Sequence, residues 1–172
     1  MLVKIQSIAN LGLETVPVDV EVDVATMGFP GFTIVGLPSK AVEEARERVK
    51  TAIVNSKMDF PPKKITVNLA PADLPKDGAA YDLPIALGVL LASGQIELPD
   101  GFDLTTSFFY GELSLDGSLR PTKGILLLGL FAQKCGQNFL IFVPRISAPE
   151  ASVVSGVKVM PVGTLSNLVK YF

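Results

Sequence analysis

Between Val16 and Ala25 the chain alternates strictly, with Val18, Val20, Val22 and Val24 separated by Asp19, Glu21 and Asp23. That two-residue period belongs to a strand with one side in a core and the other in water. Met1 to Ala9 is also rich in Val and Ile and predicts a strand before it. Phe29, Pro30 and Gly31 supply a turn, and Phe32 to Val35 predicts a third strand, broken by Gly36-Leu37-Pro38. Up to this point the expected order is a β-meander.

At Ser39 the period changes. Val42, Ala45, Val49, Ala52 and Ile53 recur three or four residues apart, and Glu43 and Glu44 fall in the first turn, where carboxylates suit the helix dipole. One amphipathic helix of about four to five turns is predicted, ending near Lys57 ahead of Pro61 and Pro62. Lys64 to Leu69 predicts a strand, and Pro71 to Asp82 a polar loop. Leu83 to Ser93 is apolar nearly all round and reads as a buried helix, with Asp82 as its expected N-cap and Pro84 tolerated in the first turn.

Phe108 to Leu115 predicts a strand, Asp116-Gly117 a hairpin-type turn, and Gly124 to Lys134 a second apolar helix closed by Gly136. Phe139 to Val143, a short helix near Ala148 to Val154, Val157 to Val162 and Leu165 to Tyr171 continue as alternating strand and helix. The expected class is α+β, with helices on a mixed sheet.

Composition narrows the picture. The 172 residues are 48% hydrophobic, enough for one core, so a single domain over residues 1–172 is expected. Fifteen basic residues face 17 acidic ones, for a net charge of -2, a balance that does not announce a nucleic-acid or membrane partner. The longest apolar stretches, Leu83 to Ala92 and Gly124 to Ala132, fall short of the ~18 residues a spanning helix needs. The first residues read directly as a strand, and the only cysteine is Cys135, so a cytoplasmic setting is expected. With no histidine and one cysteine, a structural zinc would need an almost wholly carboxylate ligand set, and none is expected.

Three ordered motifs carry a resemblance. Gly31-Phe32-Thr33-Ile34-Val35-Gly36-Leu37-Pro38 leads into Ala41-Val42-Glu43-Glu44-Ala45-Arg46-Glu47-Arg48-Val49. Leu69-Ala70-Pro71-Ala72-Asp73-Leu74-Pro75-Lys76-Asp77-Gly78 leads into Tyr81-Asp82-Leu83-Pro84-Ile85-Ala86. Gly111-Glu112-Leu113-Ser114-Leu115-Asp116-Gly117-Ser118-Leu119-Arg120-Pro121 follows. Together they resemble the N-terminal domain of the ComM/YifB family of magnesium-chelatase-like AAA+ ATPases. The resemblance implies a Lon-protease-like fold of the ribosomal protein S5 domain 2 type, followed in the parent by an ATPase module using ATP and magnesium. No G-x-x-x-x-G-K-[ST] loop occurs in this sequence, so it lacks the motif that would cradle ATP phosphates, and no cofactor is expected in this chain.

The Lon likeness also implies a test residue by residue, because Lon peptidases place a serine two residues after P-K-D-G and a base lysine further on. Pro75-Lys76-Asp77-Gly78 matches, but the serine position holds Ala80, and the lysine position, carried without gaps from Pro121, holds Leu126. A methyl group cannot attack a carbonyl. The expected role is therefore a non-catalytic one, with Lys76, Asp77, Gly78 and Tyr81 as a decayed site surface free for contacts. The implied partners are the parent's own ATPase module and neighbouring subunits of a homo-oligomeric ring engaged in DNA processing, with no membrane.

Arg46, Lys50 and Lys57 share a helix face, with Lys63 and Lys64 nearby in sequence. A solvated face laced by Glu43–Arg46, Glu44–Arg48 and Glu47–Lys50 pairs is the plainer reading, and a weak DNA contact the sharper one. Two other classes stay open. One is a Ser/Lys peptidase using Ser93 or Ser114, the other an independent nucleic-acid-binding module.

Overall fold

The computed structural model describes residues 1–136 and 138–172. Its strands are β1 (Leu2–Leu11), β2 (Glu14–Val24), β3 (Gly31–Val35), β4 (Lys64–Ala70), β5 (Ser107–Phe109), β6 (Glu112–Leu113), β7 (Leu119–Arg120), β8 (Leu140–Pro144) and β9 (Lys158–Val162). Its helices are α1 (Lys40–Glu43), α2 (Ala45–Asn55), α3 (Asp82–Ala92), α4 (Ile125–Cys135), α5 (Ala148–Ser152) and α6 (Leu165–Val169). Seven strands form one mixed sheet in the order β3-β4-β2-β1-β5-β8-β9, and β6 and β7 form a separate hairpin. The α+β class expected from the pattern holds.

The first three strands are not a meander. β1 and β2 pair antiparallel, as expected of neighbours, but β2 turns to β4 for its other partner. β3 lies outside β4 and runs parallel to it, Gly31 opposite Lys64 and Val35 opposite Asn68. A parallel pair needs a crossover, and α1 and α2 supply it. The expected single helix over this stretch is two: Ser39 caps α1 by accepting from the Val42 N–H at 3.4 Å, and α2 starts again after Glu44. The strand expected over Phe108 to Leu115 also divides, into β5 in the sheet and β6 in the hairpin that turns at Asp116-Gly117.

The two halves of the sheet are built differently. In β2, Val18, Val20, Val22 and Val24 face the helices while Asp19, Glu21 and Asp23 lie on the opposite, wetter face. In β5 and β8 both faces are covered. Phe109 and Phe142 enter the core shared with α2, α3 and α6, and Phe108, Ile141 and Val143 enter a second core with α4 and α5. Parallel strands carry helices on both sides and so lose the polar alternation that marks antiparallel ones.

Helix α3 is buried along its whole length and lies against β1 and β2. A methyl group added at Gly88 would sit 2.5 Å from Val22 Cγ2, so the absence of a side chain sets how closely helix and sheet approach.

Asp82 does not cap α3 as expected. It is the first helical residue, fully buried, and its carboxylate accepts from Arg48 Nε at 2.7 Å, Arg48 Nη2 at 3.0 Å and the Leu113 backbone N–H at 3.1 Å. One carboxylate thereby ties α2, α3 and β6 together. Burial pushes its carboxyl up to about 6, against the opposing pull of the Arg48 guanidinium and the Leu113 N–H. Arg48 reaches Glu44 only at 3.9 Å, so the expected helix-neighbour pair is secondary to a partner 34 residues away.

Candidate functional site

The loop from Pro71 to Ala80 is held by Lys76. Its side chain is fully buried, and its ammonium donates to the carbonyl oxygens of Gly36, at 3.0 Å, and Pro71. Its backbone adds two links: the Lys76 N–H donates to Leu37 O at 3.3 Å, and Lys76 O accepts from the Ser39 N–H at 2.9 Å. The lysine thus staples the Gly36-Leu37-Pro38 turn to the Pro75–Gly78 loop. Desolvation lowers its pKa, partly offset by Asp73. Gly36 itself admits no side chain, since a Cβ there would lie 2.2 Å from Leu69 O.

This corrects the expected contact surface. Lys76 and Tyr81 are buried, at 0% and 2% exposure, and cannot meet a partner as the loop stands. A lysine reads as a surface residue by composition, but here two main-chain carbonyls replace water around its charge. Asp77 and Gly78 are exposed, with the Gly78 N–H donating to Asp77 Oδ1 at 2.8 Å.

Ala80, at the serine-equivalent position, is 5% exposed and packs among Ile8, Tyr110 and Ile125, with its carbonyl accepting from the Gly111 N–H at 2.8 Å. Leu126, at the lysine-equivalent position, is half-exposed on the first turn of α4. Neither offers a nucleophile or a base. Of the alternative serines, Ser93 donates its hydroxyl proton to Leu90 O at 3.1 Å and accepts from Gln95 Nε2 at 2.8 Å. Ser114 is engaged in the β6–β7 turn through its backbone N–H and carbonyl.

The basic stripe resolves into something narrower than expected. Arg46 and Lys50 of α2 and Lys63 of the following loop line an open groove of about 810 Å³, together with Phe32, Met58 and Phe60. Lys57 and Lys64 are exposed but stand outside its lining. Lys57 lies past the end of α2 with φ of 64°, so it leaves the helix face on which its spacing would place it. Glu47 and Asp59 also line the groove, so three cations share it with two carboxylates. Arg46 Nε donates to the backbone carbonyl of Glu43 at 3.1 Å rather than to its carboxylate.

Sequence reasoning missed the aromatic part of this groove. The Phe32 and Phe60 ring centroids are 5.6 Å apart, and Lys50 Nζ lies 5.9 Å from the Phe60 centroid, within cation–π range. The available signal was Phe60 directly before Pro61-Pro62, which the pattern used only as a helix stop. Just ahead in sequence of Pro30, which lines the groove, Met27 and Phe29 are 86% and 93% exposed. Cations interleaved with ring faces can engage phosphates and flat bases together. Among the described residues no group of three or more acidic, histidine or cysteine side chains is placed to hold a metal ion, and no helix is long and apolar enough to cross a membrane.

The family of the ChlI subunit of Mg-chelatase matches residues 20–146. Competence protein ComM of Haemophilus influenzae is 43% identical over 167 residues, covering 97% of this chain and 32% of its own length. The uncharacterized protein YifB of Escherichia coli is 45% identical over 150 residues, 86% of this chain and 28% of its own. An uncharacterized protein of Mycobacterium tuberculosis is 41% identical over 162 residues, 94% of this chain and 31% of its own. The chain spans about a third or less of the length of these relatives.

Proposed function

The chain belongs to the magnesium-chelatase ChlI family and, within it, to the ComM/YifB group, and on that footing we propose that it is a non-catalytic accessory domain of a ring-forming, DNA-processing AAA+ ATPase. The observation that carries the non-catalytic part is Ala80. It occupies the serine position of the Lon-like motif, and it is buried in the cluster that also holds Ile8, Tyr110 and Ile125, with no hydroxyl to activate. The fold reading that accompanies it is the S5 domain 2 type. The lysine of the same motif serves as a strut, since the Lys76 ammonium is spent on two carbonyl oxygens.

In this reading ATP and magnesium belong to the ATPase module of the longer parent, the setting is cytoplasmic, and the domain's partners are that module and neighbouring subunits of the ring. The test compares the full-length parent with a version lacking residues 1–172. The domain-less ring should still hydrolyse ATP, but with impaired strand exchange on branched DNA. Incubated alone with casein and fluorogenic peptides, the domain should release nothing. Peptide turnover abolished by Ser93→Ala or Ser114→Ala would establish the peptidase instead.

A weak DNA contact is favoured by one observation, the convergence of Arg46, Lys50 and Lys63 on the Phe32–Phe60 groove. Three neutralised phosphates give a slope of log affinity on log salt of about -2 for single strands. Fluorescence anisotropy of a labelled oligonucleotide across a salt series measures it. Lys50→Glu with Lys63→Glu should abolish binding without unfolding the domain, because both side chains are exposed. Equal binding by the double variant would reduce the groove to a solvated surface.

A further inference from the structure

The first eight residues of α4, Ile125-Leu126-Leu127-Leu128-Gly129-Leu130-Phe131-Ala132, carry no polar side chain, and Gln133 and Lys134 follow in its last turn. Ile125, Leu128 and Ala132 are buried in the core it shares with β5 and β8, but Leu126 and Leu130 on its outer side are 41% and 40% exposed. Across from Leu130 stands the β1–β2 hairpin, whose tip carries Leu13 at 88% exposure. Two helical turns without a polar side chain are ordinarily covered, and apolar side chains left exposed together mark a contact surface.

The shape of the patch says what covers it. Between hairpin and helix runs a groove of about 310 Å³, lined by Leu13, Val16, Leu127, Leu130 and Phe131. Leu13, the most exposed of these apolar side chains, stands on the rim of this open groove, which Thr15, Glu14 and Lys134 line as well. The same rim carries Glu14 and Lys134, one of each charge. The surface therefore holds both members of a knob-and-hole contact and both members of an ion pair, the composition that a two-fold axis requires, since each element then meets its complement on the other copy.

We propose that this face binds the same face of a second copy of the chain, with Leu13 of each copy in the groove of the other and Glu14 of each opposite Lys134 of the other. The proposal rests on the chain's own surface and stands whether or not the ATPase reading holds.

Sedimentation velocity of the 172-residue chain, over a series from about 1 μM to several hundred μM, tests it. The mass should rise from 18.3 kDa toward twice that value, with a dissociation constant in the range of roughly 10–100 μM, as expected for a small interface. Leu13→Asp should weaken association at least about tenfold by placing a charge in the groove, with unchanged circular dichroism because the side chain is exposed. Phe29→Asp, equally exposed but beyond the opposite end of β2, should leave the dimer intact. Glu14→Lys should weaken it, and Glu14→Lys combined with Lys134→Glu should restore it. A chain that stays monomeric throughout the series, or a Leu13→Asp variant that dimerises like the parent, overturns the proposal and gives the face to another occupant. Failure of the double charge swap to restore association overturns the paired geometry.

Discussion

Strands β1 to β4 and strands β5, β8 and β9 share one sheet but live in different solvents. In the first group the outer face, apart from Ile8 of β1, which enters the second core, is wet and polar: Lys4 donates to Asp19 Oδ2 at 2.9 Å, Gln6 to Asp19 Oδ1 at 2.8 Å and Asn68 to Glu21 Oε2 at 2.9 Å. These contacts are among groups already satisfied by water, so each contributes little. In the second group Phe108 and Phe109, adjacent in sequence, point into two separate cores, and Phe109 stacks on Phe142 with centroids 4.5 Å apart. Tyr171 and Phe172, near the end of the chain, close over the same rings. The difference teaches that stability here follows the number of covered faces, with ring packing concentrated where the strands are shortest and ladder bonds fewest.

The contrast is broken most severely at the rings. Phe142→Ala should cost about 3–5 kcal/mol, the usual penalty for emptying a buried aromatic site, read as a fall in the urea midpoint. Next comes the junction at Asp82. Arg48→Met leaves a fully buried carboxylate without its guanidinium and should cost about 3 kcal/mol at neutral pH. That loss should shrink as pH falls and Asp82 takes up a proton.

The wild type has its own signature at the same group. The folded carboxyl titrates at about 6 against an ordinary 3.8, so between those values the folded state holds more protons than the unfolded state. Stability from this group must therefore fall as pH rises from about 4 to about 6, and level off above. Denaturation midpoints of the wild type and Asp82→Asn across that range should differ by this slope, and a flat difference would show that Asp82 titrates normally. At the small end, Thr66→Val on the wet face should change stability by no more than about 0.5 kcal/mol. A loss there comparable to that of Phe142→Ala would mean that the face is covered after all.

Legibility followed the same division. The alternation of β2 and the three-and-four spacing of α2 announced their buried sides, because a half-wet element must place polar residues at its own period. The two-sided burial of β5 and β8 left no such mark, and Phe108 to Leu115 ran together as one strand. Partners were less legible than elements. That β3 joins β4 rather than β2 depends on a crossover that local spacing does not encode. The candidate site divided likewise: Arg46, Lys50 and Lys63 were found because charge is visible in sequence, while Phe32 was read only as the start of a strand and Phe60 only as the approach to a helix stop. Lys76 misled because nothing in Pro75-Lys76-Asp77-Gly78 shows that carbonyls from Gly36 and Pro71 wait to receive its ammonium.

The contact of Gly88 with Val22 has a consequence for how this sequence can change with time. The two positions share a fixed amount of space, and Val22 is stiff about its first side-chain bond, so it cannot swing aside for a newcomer. A methyl gained by α3 must be given up by β2. Alanine at position 88 should therefore be reachable only alongside a smaller residue at position 22, and drift at these two sites, 66 positions apart along the chain, should proceed as paired steps whose single-change intermediates are filtered out.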